Sequence, residues 1–246
     1  LYNPIRNEPG SPAFKPIGSL PRPTWQHTAT LLPGADRQEG TEDDMVVICG
    51  GTDGQEIFSS IVVIFLSSQT GNLEIRSLPQ TMKLARAEHA AVAVDNLSIL
   101  VDGGWNRREG KTGGRLAESA ELFRLERTGD EIRLAETSLF RSLARVRHTL
   151  NLLVPDSEGA NWVLAFGGYG RNRYLDPYVP VFKNPDQPIN PFGEKLKGDE
   201  PEGLFNPARA SILSSPILIK LKTPRESITR LGIRPGYPLI RSGHLA

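Results

Sequence analysis

The chain has 246 residues, 38% hydrophobic and 23% charged, with a net charge of +1 at pH 7. That balance suits a globular protein and excludes any global electrostatic attraction to nucleic acid or an anionic membrane. No apolar run approaches the roughly 20 residues that a bilayer-spanning helix requires. A single cysteine, Cys49, rules out an internal disulfide and a cysteine-built zinc site and leaves the redox compartment open.

Residues 1–19 hold Pro4, Pro9, Gly10, Pro12, Pro16 and Gly18 without a sustained period and read as an extended arm or linker. From 20 to 80 come four short runs rich in Val, Ile and Thr: His27–Leu32, Met45–Cys49, Ile61–Phe65 and Asn72–Leu78. Turn chemistry such as Thr52-Asp53-Gly54 and Thr70-Gly71-Asn72 separates them, which is the spacing of a four-stranded antiparallel meander. Residues 81–139 repeat the set as His89–Val94, Ser98–Asp102, Ser119–Leu125 and Glu131–Leu134, with a basic, Gly-rich loop from Asn106 to Arg115. Residues 140–239 open with a third copy, His148–Val154 and Trp162–Phe166. An insertion at about 169–210, rich in proline and aromatic residues, then delays Pro216–Leu221 and Ser227–Leu231. A loop of that length is functional more often than it is a plain connection. Residues 240–246 begin a fourth copy.

Separate elements of the unit recur together. All four histidines, His27, His89, His148 and His244, stand just before a first strand, and Arg86, Arg145 and Arg241 lie three residues ahead of the last three. Each complete second strand ends in paired glycines: Gly50-Gly51, Gly103-Gly104 and Gly167-Gly168. Recurrence at this period signals a repeat architecture. The glycine pairs follow strands and open no helix, so they are structural turn or bulge positions and not phosphate cradles. The histidines are read as packing residues, because symmetry-related positions around a ring stand too far apart to share one metal ion. Cys49 is a small buried hydrophobe in this reading. The sequence contains no Ser-His-Asp order, no H-E-x-x-H and no carboxylate pair at a catalytic spacing.

His27-Thr28-Ala29-Thr30-Leu31-Leu32-Pro33, the three glycine pairs and Ser119-Ala120-Glu121-Leu122-Phe123 resemble kelch repeats of the bacterial type, similar to the central domain of galactose oxidase. Two departures stand out: the fourth strands carry no tryptophan, and Thr52 follows the first glycine pair where Trp105 and Tyr169 follow the others. The resemblance implies an all-β fold, a β-propeller whose units are four-stranded blades with the first strand nearest the central channel. Propellers close with roughly four to eight blades, so three blades and the start of a fourth are expected to belong to a longer ring whose remaining blades lie outside this chain. An isolated arc of this kind is expected to expose apolar flanks and to self-associate.

The resemblance further implies a binding or interaction module for a protein or carbohydrate ligand, without catalysis and without a cofactor or metal. The different-class alternatives are an enzyme on the same fold, of the sugar oxidase or sialic acid epimerase type, and a propeller appended to a catalytic domain elsewhere. An extracellular or cell-envelope setting is favoured over the cytoplasm. The candidate ligand-binding residues are Arg86, Arg145, Arg147 and Arg241, expected at the channel-facing blade entrance, with Tyr169, Arg171 and Tyr174 from the insertion. Guanidinium forks match carboxylates bidentately, and exposed aromatics among cations suit sugars or acidic peptides, so the ligand is expected to be anionic. Solvated arginines, or arginines bonded to neighbouring blades, are the alternative.

Overall fold

The computed structural model describes residues 16–107, 114–142, 144–155, 157, 159–170, 211–212, 216–221 and 227–230. Among them there is no helix, and hence none long and apolar enough to cross a membrane. The first sheet comprises β1 (Thr28–Leu32), β2 (Met45–Cys49), β3 (Ile61–Leu66) and β4 (Leu73–Ser77), paired antiparallel in sequence order. The second is built the same way from β5 (Ala90–Ala93), β6 (Ser98–Asp102), β9 (Ser119–Thr128) and β10 (Glu131–Arg141). The third consists of β11 (Thr149–Leu153), β12 (Asn161–Phe166), β15 (Ile217–Leu221) and β16 (Ser227–Arg230). Between the second and third strands of the last two sheets stand two-stranded ribbons, β7 (Trp105–Arg107) with β8 (Gly114–Leu116), and β13 (Tyr169–Gly170) with β14 (Ser211–Ile212).

The first strands converge, β5 touching both β1 and β11, and the sheets stack face on face in sequence order, a partial propeller-like arrangement. Alternation decides which residues meet. Met45, Val47, Cys49, Ile61, Val63 and Phe65 cover the forward face of the first sheet and pack on Ile99, Val101, Phe123 and Leu125 of the second. Leu100 and Ala120, on the opposite face of the second sheet, pack on Leu150, Val163, Ala165, Ile217 and Ile219 of the third. The central strands are therefore apolar on both faces, and β6 is buried along its whole length.

β10 extends past the short run legible in the sequence. A register shift between Leu134 and Glu136 accommodates one extra residue, after which the strand continues to Arg141 opposite Ser119. On the back of the first sheet, Leu20, Pro21 and Arg22 lie against Ile48, Val62 and Phe58 along a groove of about 470 Å³. Arg22 stacks over the Phe58 ring at 4.4 Å. Of the stretch 1–19, only residues 16–19 are described, and they directly precede this flank.

The hairpin end of the stack is tied by polar clasps between sheets. Asp130, in the β9–β10 turn, accepts from the Ser67 hydroxyl at 2.6 Å, the Ser68 amide at 2.7 Å and the Ser68 hydroxyl at 2.9 Å. Asn96 Nδ2 donates to the Gly34 carbonyl at 2.7 Å, and Asn161 Nδ2 to the Val94 carbonyl at 2.9 Å. The hydrogen bond from the Ser67 hydroxyl, with those from Ser68, holds the Asp130 carboxyl at about 2. A depressed carboxyl stabilises the fold above its unfolded value near 4 and loses that contribution as pH falls through about 2. Urea midpoints measured between pH 5 and 2 are therefore expected to decline less steeply for Asp130→Asn than for the parent; parallel curves would show that the clasp carries no proton linkage.

Candidate functional site

Three equivalent joints organise the other end of the stack. The second glycine of each pair lies next to the approach to its own first strand: Thr52 bridges Trp25, Trp105 bridges Ala87 and Tyr169 bridges Val146, each partner standing two residues before a histidine. The glycine pair also receives the following sheet. The Gly51 amide donates to the Arg86 carbonyl at 2.7 Å and the Gly104 amide to the Arg145 carbonyl at 2.8 Å. A β-carbon on Gly50 or Gly103 would collide with those same carbonyl oxygens, and both glycines have positive φ, 59° and 63°. Glycine is needed on both counts, the close backbone approach and the left-handed conformation.

Among the described residues, the one before each histidine is left-handed as well, although none of these three is glycine: φ is 57° at Gln26, 55° at Glu88 and 55° at Arg147. Such a conformation costs about 1–2 kcal/mol in an L-residue. Here it turns the backbone so that the Glu88 amide donates to the Gln26 carbonyl and the Arg147 amide to the Glu88 carbonyl, each at 3.0 Å. The side chains extend the ladder. Gln26 Nε2 donates to the Glu88 carboxylate, and Arg147 grips the same carboxylate through Nε, at 2.7 Å, and through Nη2.

The histidines lie under this ladder. The His89 ring stands over Gly50 and hydrogen-bonds Thr28 Oγ1 through Nε2 at 2.9 Å; the His148 ring stands over Gly103 and bonds Asp102 Oδ2 at 3.1 Å. Burial lowers the His89 value to about 3, helped by the positive charge of Arg86. Burial opposes ionisation of Asp102, but the His148 hydrogen bond and the Arg145 charge outweigh it and hold the carboxyl below its usual range. His148 and Asp102 have the composition of a general-base dyad, yet neither side chain has any solvent exposure, so the pair reaches no substrate. Because unfolded His89 takes a proton near 6.5 and folded His89 only near 3, the unfolded chain binds more protons between those values. Stability is thus expected to fall by about 5 kcal/mol as pH drops across this window. His89→Gln removes that slope, and an unchanged slope in calorimetry of the variant would show His89 protonated in the fold.

Arg86 and Arg145, expected to meet a ligand, are 0% and 1% exposed. Arg86 Nη1 donates to the Gly103 carbonyl at 2.7 Å and the Ser119 carbonyl at 2.8 Å, and Nη2 lies 4.0 Å from Glu121. Arg145 reaches the Gly167 carbonyl at 3.4 Å, with Asp102 as its counter-charge. Burial brings Arg145 down to about 10 despite that carboxylate. Both side chains are therefore taken up inside the stack, Arg86 by its own sheet and Arg145 between its own sheet and Asp102 of the preceding one, and neither is exposed to meet a ligand. The physical reason is the row of carbonyl acceptors left by the glycine turns, joined to a buried acid. Arg147 is the exception, its side chain 26% exposed beside Glu88. Tyr169 is 5% exposed and paired with Val146 through the backbone. Arg171, Tyr174, Arg241 and His244 lie outside the described residues. Burial also pushes the Cys49 thiol up, with the Glu121 charge adding to the effect.

Sequence reasoning passed over Gln26, Glu88, Asp102 and Glu121. A signal existed for the last two, since each is a lone carboxylate inside an apolar run. For the left-handed position it was Gly243, the residue preceding the fourth histidine.

The connections between second and third strands all leave from this end, because each starts beside the approach to a first strand. They grow along the chain: a tight turn closed by the Thr52–Ile57 bridge, then the β7–β8 ribbon, then an excursion whose base is the β13–β14 ribbon. Among the described residues no three His, Cys, Asp or Glu side chains come together as a metal site.

No family model matches the chain, and no curated protein is similar to it. Among solved structures, the one described as "Structure of YjhT" is similar with a TM-score of 0.43 and 12% identity, over 84% of this chain and 45% of that one. The chain thus spans less than half the length of that structure.

Proposed function

We propose that the chain is part of a kelch-type β-propeller serving as a binding module for a protein or carbohydrate ligand, with recognition at the glycine-turn end. One observation carries the reading: the three connections between second and third strands emerge together there, on a stack of sheets fixed by buried joints. Loops held by a rigid scaffold are where such folds place recognition. The insertion contributes aromatics interspersed with Arg171, Arg173, Lys183 and Lys195, and Arg147 stands beside its base through the Val146–Tyr169 bridge. That mixture suits an anionic sugar or an acidic peptide. Arg86 and Arg145 act in this proposal only by holding the joints.

Arrays of neutral and anionic glycans and of acidic peptides, probed with the 246-residue protein, test the reading. Binding is expected to weaken with added salt and to drop at least about tenfold, or 1.4 kcal/mol, when residues 175–202 are deleted. Equal binding by the deleted form would move the site off this end.

A further inference from the structure

We propose that the Gly167-Gly168 turn and the forward face of the third sheet are the docking place for Arg241-Ser242-Gly243-His244 of the same chain. This rests on the repeat reading of residues 240–246 and makes it specific to named atoms. Two occupied joints supply the rule. In each, the second glycine's amide meets the carbonyl of the residue three before the histidine. The left-handed residue donates its amide to its counterpart in the preceding sheet, and the imidazole covers the first glycine.

The receiving side is present on the third sheet. Gly167 and Gly168 have φ of 73° and 82°, matching the 63° and 88° of Gly103 and Gly104. Gly168 packs on its own sheet as Gly104 does, against the Val146 carbonyl and the His148 Cβ. Strand pairing places Trp162, Leu164 and Phe166 where the first sheet has Met45, Val47 and Cys49, the residues that pack on a following sheet. The incoming segment matches at each position that the rule constrains. It has an arginine three residues before the histidine, and a glycine where the other three copies hold a left-handed residue. The connection is long enough: residue 241 follows the end of β16 by 11 residues, against 9 from β4 to Arg86 and 4 from β10 to Arg145.

The third joint also identifies the partner of the imidazole. In the first sheet the hydroxyl comes from the opening residue of the first strand, Thr28, opposite Cys49. In the second sheet that residue is Ala90, and the acceptor comes from Asp102, at the end of the second strand. The third sheet has Thr149 opposite Phe166, the arrangement of the first. His244 Nε2 is thereby assigned to Thr149 Oγ1, the Gly243 amide to the Arg147 carbonyl, and the Gly168 amide to the Arg241 carbonyl.

Hydrogen exchange read residue by residue on the full chain tests this. The Gly168 amide is expected to be protected like those of Gly51 and Gly104, and independently of protein concentration. In His244→Ala and in Gly243→Val, where a β-branched residue resists φ > 0, exchange at Gly168 is expected to accelerate at least tenfold while Gly51 and Gly104 stay protected. Gly243→Asn, which tolerates the left-handed region, is expected to retain protection. Protection at Gly168 unchanged in both His244→Ala and Gly243→Val overturns the proposal. So does protection that fades on dilution, which would assign the face to a second copy of the chain.

Discussion

Gly103→Ala is expected to destabilise the protein by at least about 3 kcal/mol, combining about 1–2 kcal/mol for an L-residue at positive φ with a steric cost of similar size. The new methyl group would be driven into the Arg145 carbonyl and towards the His148 ring, both belonging to the next sheet and neither able to withdraw without opening the joint. Gly54→Ala is the internal control. Its φ is 94°, but a β-carbon there meets nothing within 4 Å, so only the conformational cost of about 1–2 kcal/mol applies. Urea denaturation of both variants decides the matter: equal losses would mean that the sheets do not meet at the glycine pair.

Asp102→Ala is expected to cost about 3–5 kcal/mol, the usual penalty for breaking a buried ion network from one side. The variant leaves Arg145 buried without its carboxylate and His148 without its acceptor. Arg145→Met in the Asp102→Ala background is expected to recover part of the loss, because the second substitution removes the charge that the first one stranded. Strict additivity in the double-mutant cycle would uncouple the two residues.

How much of this was legible in the sequence varies with the kind of residue. Strand positions were, because apolar runs between turn residues report burial directly: Met45–Cys49, Ser98–Asp102 and Asn161–Phe166 are strands flanked as the runs suggested. Glycine pairs were legible because few other residues fill a tight joint. The direction of a long side chain was not. Arg86 and Arg147 both lie within three residues of a histidine, yet one turns inward to the Gly103 and Ser119 carbonyls and the other stays partly exposed against Glu88. Only the sheet register discloses the difference. It places Glu121 beside Val101 on the face where Arg86 enters, while Val62 and Ile217 occupy the matching positions of the first and third sheets. The first unit, with Thr24 in place of the arginine, has no acid there, and the third, with Arg145, takes its acid from Asp102 of the sheet before. The pattern joins residues of different units, which a comparison of units one by one does not reveal.

The two histidine partners, the Thr28 hydroxyl for His89 and the Asp102 carboxylate for His148, give the units a fixed succession. If the first two units were transposed, His27 would face Asp102, and Thr24 would stand where Arg145 now compensates that carboxylate. His148 would arrive over a turn offering Thr28 and Cys49, with Arg145 beside it and no acid. Each rearranged junction would then enclose a charge of one sign. Units that share a backbone are consequently not interchangeable modules: each junction carries an address readable only by its present neighbour, and duplication of a single unit would need compensating changes on both sides before the copy could settle into the stack.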